Sequence, residues 1–151
     1  MNKIPMVDLD AQYQSIKPQI DNAISSVIKD GAFVGGKYVD DFEKVFAKFC
    51  NTQFAVGLNS GTDALYLALW AMGIGKNDEV ITTPFSFFAT SEVISRIGAK
   101  PVFVDIDPNT YNINEELIET AITENTKAII PVHLYGKPAN MKEIMRIANK
   151  Y

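Results

Sequence analysis

The sequence has one cysteine and one histidine, Cys50 and His133. A lone cysteine forms no internal disulfide, and one Cys with one His is too small a set for a zinc site, so no metal is expected. A thiol nucleophile needs a base beside it, and the single histidine is far along the chain. Cys50 instead closes Val45-Phe46-Ala47-Lys48-Phe49-Cys50, whose spacing places Phe46 and Phe49 on a buried face and makes Cys50 a small buried or half-buried residue. Basic runs are also missing. A net charge of −4 and a pI near 4.9 oppose a nucleic-acid surface, which needs a basic face. No apolar stretch approaches the roughly 20 residues that cross a bilayer. The start, Met1-Asn2-Lys3-Ile4-Pro5, lacks the apolar core of a secretion signal, which leads to an expectation of a cytoplasmic protein with no membrane partner. The Gly-x-Gly-x-x-Gly pattern of nicotinamide enzymes is missing too, since Gly57 and Gly61 lie four apart and no third glycine follows at the required place. No repeat, low-complexity tract or linker interrupts residues 1–151, so no internal domain boundary is expected.

What is there is an alternation. Hydrophobic residues at 47% against 21% charged fit a globular chain with a core. Ile16, Ile20, Ile24, Val27 and Ile28 recur at helical spacing and predict a helix over 11–29, with Pro18 near its start and Gly31 at its end. A second helix is predicted over 39–49, with Phe42, Val45, Phe46 and Phe49 on one face. Strand 54–58 then leads to helix 62–72, strand 79–83 to helix 86–97, and strand 101–105 to a helix over 114–123 capped by Asn114. Strand 127–133, nearly all apolar, reads as buried on both faces and leads to helix 140–150. Strands alternating with helices predict an α/β fold with a mostly parallel sheet, flanking helices and right-handed crossovers.

Two of the strand-to-helix turns carry chemistry. Asn59-Ser60-Gly61-Thr62-Asp63 opens helix 62–72. The first N–H groups of a helix have no internal acceptor and the dipole there is positive. A Ser-Gly-Thr turn adds hydroxyls and close backbone approach, which suits a phosphate; the same residues also suit a plain N-cap. Thr83-Pro84-Phe85-Ser86-Phe87-Phe88-Ala89-Thr90 offers a row of aromatic rings. Core packing is the competing role for Phe85, Phe87 and Phe88, and it is expected for at least one of them. In a parallel sheet both turns fall at the carboxyl edge of the strands, where such folds bind ligands. A phosphorylated aromatic cofactor needs both. His133 ends strand 127–133 at the same edge. Asp105 and Asp107 read as turn and cap residues.

Five segments in order resemble one family. They are Val7-Asp8-Leu9 with Gln12-Tyr13 and Ile16-Lys17; Phe33-Val34-Gly35-Gly36 with Val39 and Phe42-Glu43; Asn59 to Leu65; Thr83 to Thr90; and Ile130-Pro131-Val132-His133-Leu134-Tyr135-Gly136. Together they resemble the amino-terminal part of the pyridoxal-phosphate-dependent sugar aminotransferases named for DegT, DnrJ, EryC and StrS. The resemblance implies the N-terminal portion of the large domain of an aspartate-aminotransferase-type fold. It implies pyridoxal 5′-phosphate held by Gly61 and Thr62, with Ser60 beside them and Phe87 stacked on the ring. It points to Gly31, Phe33 and His133 as substrate-binding positions. The implied reaction moves an amino group from glutamate to a nucleotide-linked keto-sugar, in a homodimer, for cell-surface polysaccharide or antibiotic sugars.

The same resemblance puts the Schiff-base lysine and the carboxylate facing the pyridine nitrogen beyond Tyr151, so no catalytic residue is expected here and the chain alone is expected to be inactive. Lys37, Lys76, Lys100, Lys127, Lys137, Lys142 and Lys150 all read as surface or turn charges. Two alternatives remain: a sugar dehydratase of the same cofactor fold, or a non-catalytic module that binds the sugar nucleotide or the cofactor.

Overall fold

The computed structural model describes residues 4–151 and divides into two compact units, one reaching Gly57 and the other Leu58–Tyr151. Met1, Asn2 and Lys3, on which the expectation of no secretion signal partly rests, lie outside the described residues.

The first unit carries α1 (Leu9–Asp30) and α2 (Lys37–Phe49). Asp8 caps α1 by accepting the Ala11 N–H at 2.9 Å. Gly31 ends it in the left-handed region (φ 63°), where a side chain would be strained, and its N–H returns to Ile28 at 3.1 Å. The helix starts earlier than its periodicity implies, so Pro18 falls in its interior rather than its first turn. Proline removes one rung of the helical ladder there. Side chains span the gap: the Tyr13 hydroxyl donates to Asp21 at 2.6 Å, and Lys17 donates to Asp21 at 2.6 Å and to Tyr13 at 2.8 Å.

The amphipathic faces of both helices are present, yet they stay open. Alpha helix α1 buries no residue and α2 only Ala47. Phe46 and Phe49 stack in a row with Phe42, at centroid separations of 5.4 and 6.2 Å. Against expectation they are 45% and 84% exposed, and Cys50 at the helix end is exposed with them. Segment 54–58 is a second correction. It forms no strand, because no neighbour among the described residues pairs with it; an apolar run becomes a strand only with a ladder partner.

The second unit holds α3 (Gly61–Ala71), β1 (Glu79–Thr82), α4 (Ala89–Arg96), β2 (Lys100–Phe103), α5 (Ile118–Ala121), β3 (Thr126–Ile129) and α6 (Met141–Lys150). The sheet is parallel throughout in the order β2-β1-β3. Central β1 is buried along its whole length. Successive strand residues face opposite sides, so Val80 and Ile81 build two separate cores. Val80 packs with Leu69, Val93 and Ile94 of α3 and α4. Ile81 packs with Ile118, Ile144 and Ile147 of α5 and α6. Helices thus cover both faces, as in doubly wound α/β folds.

Three elements differ from expectation here. Strand 127–133 shrinks to β3 and is half-buried, because it is an edge strand of three. Helix 86–97 begins at Ala89, the preceding residues being used in the turn. Helix 114–123 is a single 3₁₀ turn, Glu115–Leu117, followed by the four-residue α5, with Asn114 capping as expected at 3.1 Å from the Glu116 N–H.

The amino edge of the sheet is pinned by charge. Buried Glu79 accepts from the Lys100 ammonium at 2.8 Å and from the Thr123 hydroxyl at 2.6 Å. Lys100 first, then Thr123, hold its carboxyl below the usual range. A carboxyl depressed by folding adds stability above its unfolded pKa, and that stability disappears as pH falls through the folded value. Lys100→Met is therefore expected to lower the urea midpoint at pH 7, and the gap to the parent protein narrows as the solution is acidified below about pH 4, near the ordinary glutamate pKa. A gap that stays constant with pH contradicts the pairing.

Candidate functional site

Helix α3 begins where the sequence places the anion cradle. Ser60 is extended (φ −155°, ψ 156°), and its Oγ accepts the Asp63 N–H at 3.0 Å and donates to Asp63 Oδ2 at 3.2 Å. The Ser60 carbonyl accepts from Ala64 at 3.0 Å. Ser60 is thus the N-cap, its hydroxyl engaged with Asp63. The N–H groups of Gly61 and Thr62, at the two positions before Asp63, have no acceptor within the helix.

Gly61 is the informative residue. A Cβ built there meets nothing within 4 Å, and its φ lies outside the left-handed region. Neither packing nor backbone strain within the chain calls for glycine at this place. Open room beside two unpaired N–H groups is what a closely approaching oxyanion requires. Asp63, which holds the Ser60 hydroxyl, also faces a cation: Arg96 Nη1 of α4 lies 4.0 Å from its Oδ1, and the guanidinium sits 4.8 Å from the Tyr66 ring centre.

The turn after β1 is built by hydroxyl groups. Buried Thr82 donates to the Ile130 carbonyl at 3.0 Å, which extends the β1–β3 pairing past the last ladder residue. Thr83, also buried, accepts the Phe85 N–H at 3.4 Å. The segment is anchored at its start and leaves Phe87 78% exposed, one residue before the N-cap of α4. None of Phe85, Phe87 and Phe88 is buried, contrary to the expectation that at least one serves the core. Phe85 instead meets Tyr111 at 6.0 Å, and Tyr111 meets Tyr135 edge-on at 6.4 Å. Pro84, Phe85, Ser86, Leu134 and Tyr135 line an open depression of ≈ 200 Å³. The turns following β1 and β3 therefore come together at the carboxyl edge, and His133 immediately precedes Leu134.

His133 is exposed, and its ring Nδ1 accepts the Ala139 N–H at 3.1 Å. Gly31 and Phe33 belong to the first unit: Gly31 closes α1, and Phe33 is 71% exposed. The seven lysines read as surface charges are all exposed. Among the described residues, no group of three or more His, Cys, Asp or Glu could hold a metal ion, and no helix is long and apolar enough to cross a membrane.

Tyr111, Tyr135 and Asn112 were not legible as site features. Both tyrosines adopt φ near +60° (60° and 54°), a conformation uncommon for residues other than Gly, Asn and Asp. Asn112 is buried and bonds across to the other loop. Only the Asp-Pro-Asn turn before them signalled a bend.

Comparison with known proteins places this arrangement. A sequence model of the DegT/DnrJ/EryC1/StrS aminotransferase family matches residues 14–151. The chain is 49% identical over 98% of its length to a protein of Geobacillus stearothermophilus named pleiotropic regulatory protein. It is 45% identical, also over 98%, to the UDP-2-acetamido-2-deoxy-3-oxo-D-glucuronate aminotransferase of Pseudomonas aeruginosa. Among solved structures it superimposes on NtdA of Bacillus subtilis with bound cofactor PMP, at a TM-score of 0.93 and 39% identity, covering all of this chain and 35% of that one. The chain spans 40% and 41% of the length of these two curated relatives.

Proposed function

From a chain that belongs to the DegT/DnrJ/EryC1/StrS aminotransferase family, we propose that the full-length protein is a pyridoxal-phosphate-dependent aminotransferase. It moves an amino group from glutamate to a keto-sugar carried on a nucleotide, in the making of a cell-surface polysaccharide or an antibiotic sugar. It works in the cytoplasm as a homodimer. The observation that carries this reading is the start of α3, where Gly61 leaves open room beside two free N–H groups.

The residues present fit the cofactor. Gly61 and Thr62 would hold its phosphate through their N–H groups, and the Thr62 hydroxyl would add a third donor. The helix dipole favours the anion further, by up to about 1 kcal/mol at an exposed site. The exposed Phe87 ring would supply the apolar surface for the flat face of the pyridine. Offset aromatic stacking is worth about 1 kcal/mol beyond buried area. When bound, the cofactor withdraws electrons from the reacting carbon and carries the amino group between donor and acceptor. This chain holds and orients it. The lysine that anchors the cofactor and the carboxylate facing its ring nitrogen belong to residues beyond Tyr151, and residues 1–151 alone carry no activity.

Binding is tested on the full-length protein. Added pyridoxal phosphate is expected to shift its visible absorbance, and glutamate then to reverse the shift with release of 2-oxoglutarate. No spectral response removes the proposal. Phe87→Ala is expected to weaken cofactor retention about fivefold, since 1 kcal/mol is roughly that factor, with a melting temperature close to the parent's because the ring is mostly exposed.

One relative favours a second reading. The name of the Geobacillus protein points to regulation, and a non-catalytic module would bind the cofactor or a sugar nucleotide without turnover. Borohydride reduction separates the two, because only an anchoring lysine fixes the cofactor covalently.

A further inference from the structure

Building on the aminotransferase reading, we propose that Asn112 is a positioning residue that fixes His133 as an Nε2–H donor, aimed at an acceptor oxygen of the bound ligand. Asn112 is 4% exposed, and every polar atom of its side chain is used. Its Nδ2 donates to the carbonyls of Lys137 and Pro138, both at 3.1 Å, and its Oδ1 accepts the Leu134 N–H at 3.0 Å. One amide thus grips both ends of the loop after β3. Its own place is fixed by the turn after β2. There the Asn112 carbonyl accepts the Asp107 N–H at 2.9 Å, and Asp107 Oδ1 accepts from Asn109 and Thr110 at 2.8 Å.

The loop so held carries Ala139, 5% exposed, whose N–H points at His133 Nδ1. A backbone N–H only donates, so Nδ1 must accept. In neutral imidazole the proton then sits on Nε2. His133 is exposed, and the two residues that follow it in sequence, Leu134 and Tyr135, line the depression at the carboxyl edge. The clamp therefore fixes which ring nitrogen carries the proton, on a residue next in sequence to the lining of the depression. That donor matches a carbonyl, hydroxyl or phosphoryl oxygen, supplied by either the cofactor or the sugar nucleotide.

The test is nitrogen NMR on full-length protein labelled at histidine, with the His133 signals identified by their loss in His133→Gln. At a pH where imidazole is neutral and without ligand, the expected pattern is a protonated Nε2 and a bare Nδ1. A protonated Nδ1, or averaging of both forms, overturns the proposal. Asn112→Asp keeps the size and the acceptor but loses both donors, and it is expected to give averaged forms with cooperative melting retained. A fixed Nε2–H pattern in a folded Asn112→Asp protein contradicts the role of Asn112. If that variant does not fold, Asn112→Ser is measured in its place with the same two outcomes, and the unsubstituted protein still decides the tautomer.

Pyridoxal phosphate and UDP are then added separately. A shift of the Nε2 signal with the first assigns the acceptor to the cofactor, and with the second to the nucleotide sugar. A shift with neither overturns the ligand role. Because the tautomer is read without ligand, its failure is distinct from failure of the aminotransferase reading.

Discussion

Gly61→Val removes cofactor binding from the full-length protein while leaving its fold almost unchanged. Hydrogen bonds to a charged group contribute about 1.5–3 kcal/mol each. Blocking the approach to two N–H groups therefore costs about 3–6 kcal/mol, or roughly 10²- to 10⁴-fold in affinity. Stability responds in the other direction or not at all. Nothing lies within 4 Å of the added Cβ, and valine is a somewhat better helix residue than glycine, by a few tenths of a kcal/mol. Equilibrium binding of pyridoxal phosphate, read beside the thermal melt, separates the two effects. Equal loss of both means that Gly61 serves the chain's own packing. Unchanged affinity means that the phosphate binds elsewhere.

The largest loss of stability is expected from Ile81→Ala. Ile81 is fully buried at the centre of the sheet and packs against helices α5 and α6. Removing its methyl groups leaves a cavity between rigid layers and costs about 2–5 kcal/mol, a large part of the 5–15 kcal/mol that holds a typical domain together. Urea denaturation of the full-length protein measures it. A cost under about 1 kcal/mol, the range of volume-conserving swaps, would show that the second core yields and that the two-faced packing of β1 is misread.

The helices and their ends were largely legible, because caps and glycines act locally. Ser60 and Asn114 accept N–H groups close along the chain, and Gly31 ends α1 through its left-handed backbone; the cap at Asp8, which starts α1 two residues before the expected helix, was missed. The strands were less so. Residues 54–58 carry a strand-like run but have no partner among the described residues, and pairing is not a local property. Beta strand β3 read as doubly buried because apolar composition looks the same at an edge as at a centre. Phe46 and Phe49 lie on the helical face their spacing gives, yet spacing says nothing of what covers that face.

The site divides in the same way. The helix start at Ser60, Gly61 and Thr62 was readable because an N-terminal turn is a local device. Asn112 was not, since its partners Leu134, Lys137 and Pro138 are brought to it only by the fold. Nor were the left-handed Tyr111 and Tyr135, because tyrosine carries no preference for that conformation.

The most direct measurement is a crystal structure of the full-length protein grown with pyridoxal phosphate. The phosphate oxygens are expected about 2.7–3.2 Å from the backbone nitrogens of Gly61 and Thr62, the usual range for such bonds, with the Phe87 ring lying on the face of the pyridine. A cofactor bound away from the start of α3, or Thr62 and Phe87 opening onto opposite edges of the sheet, would contradict it.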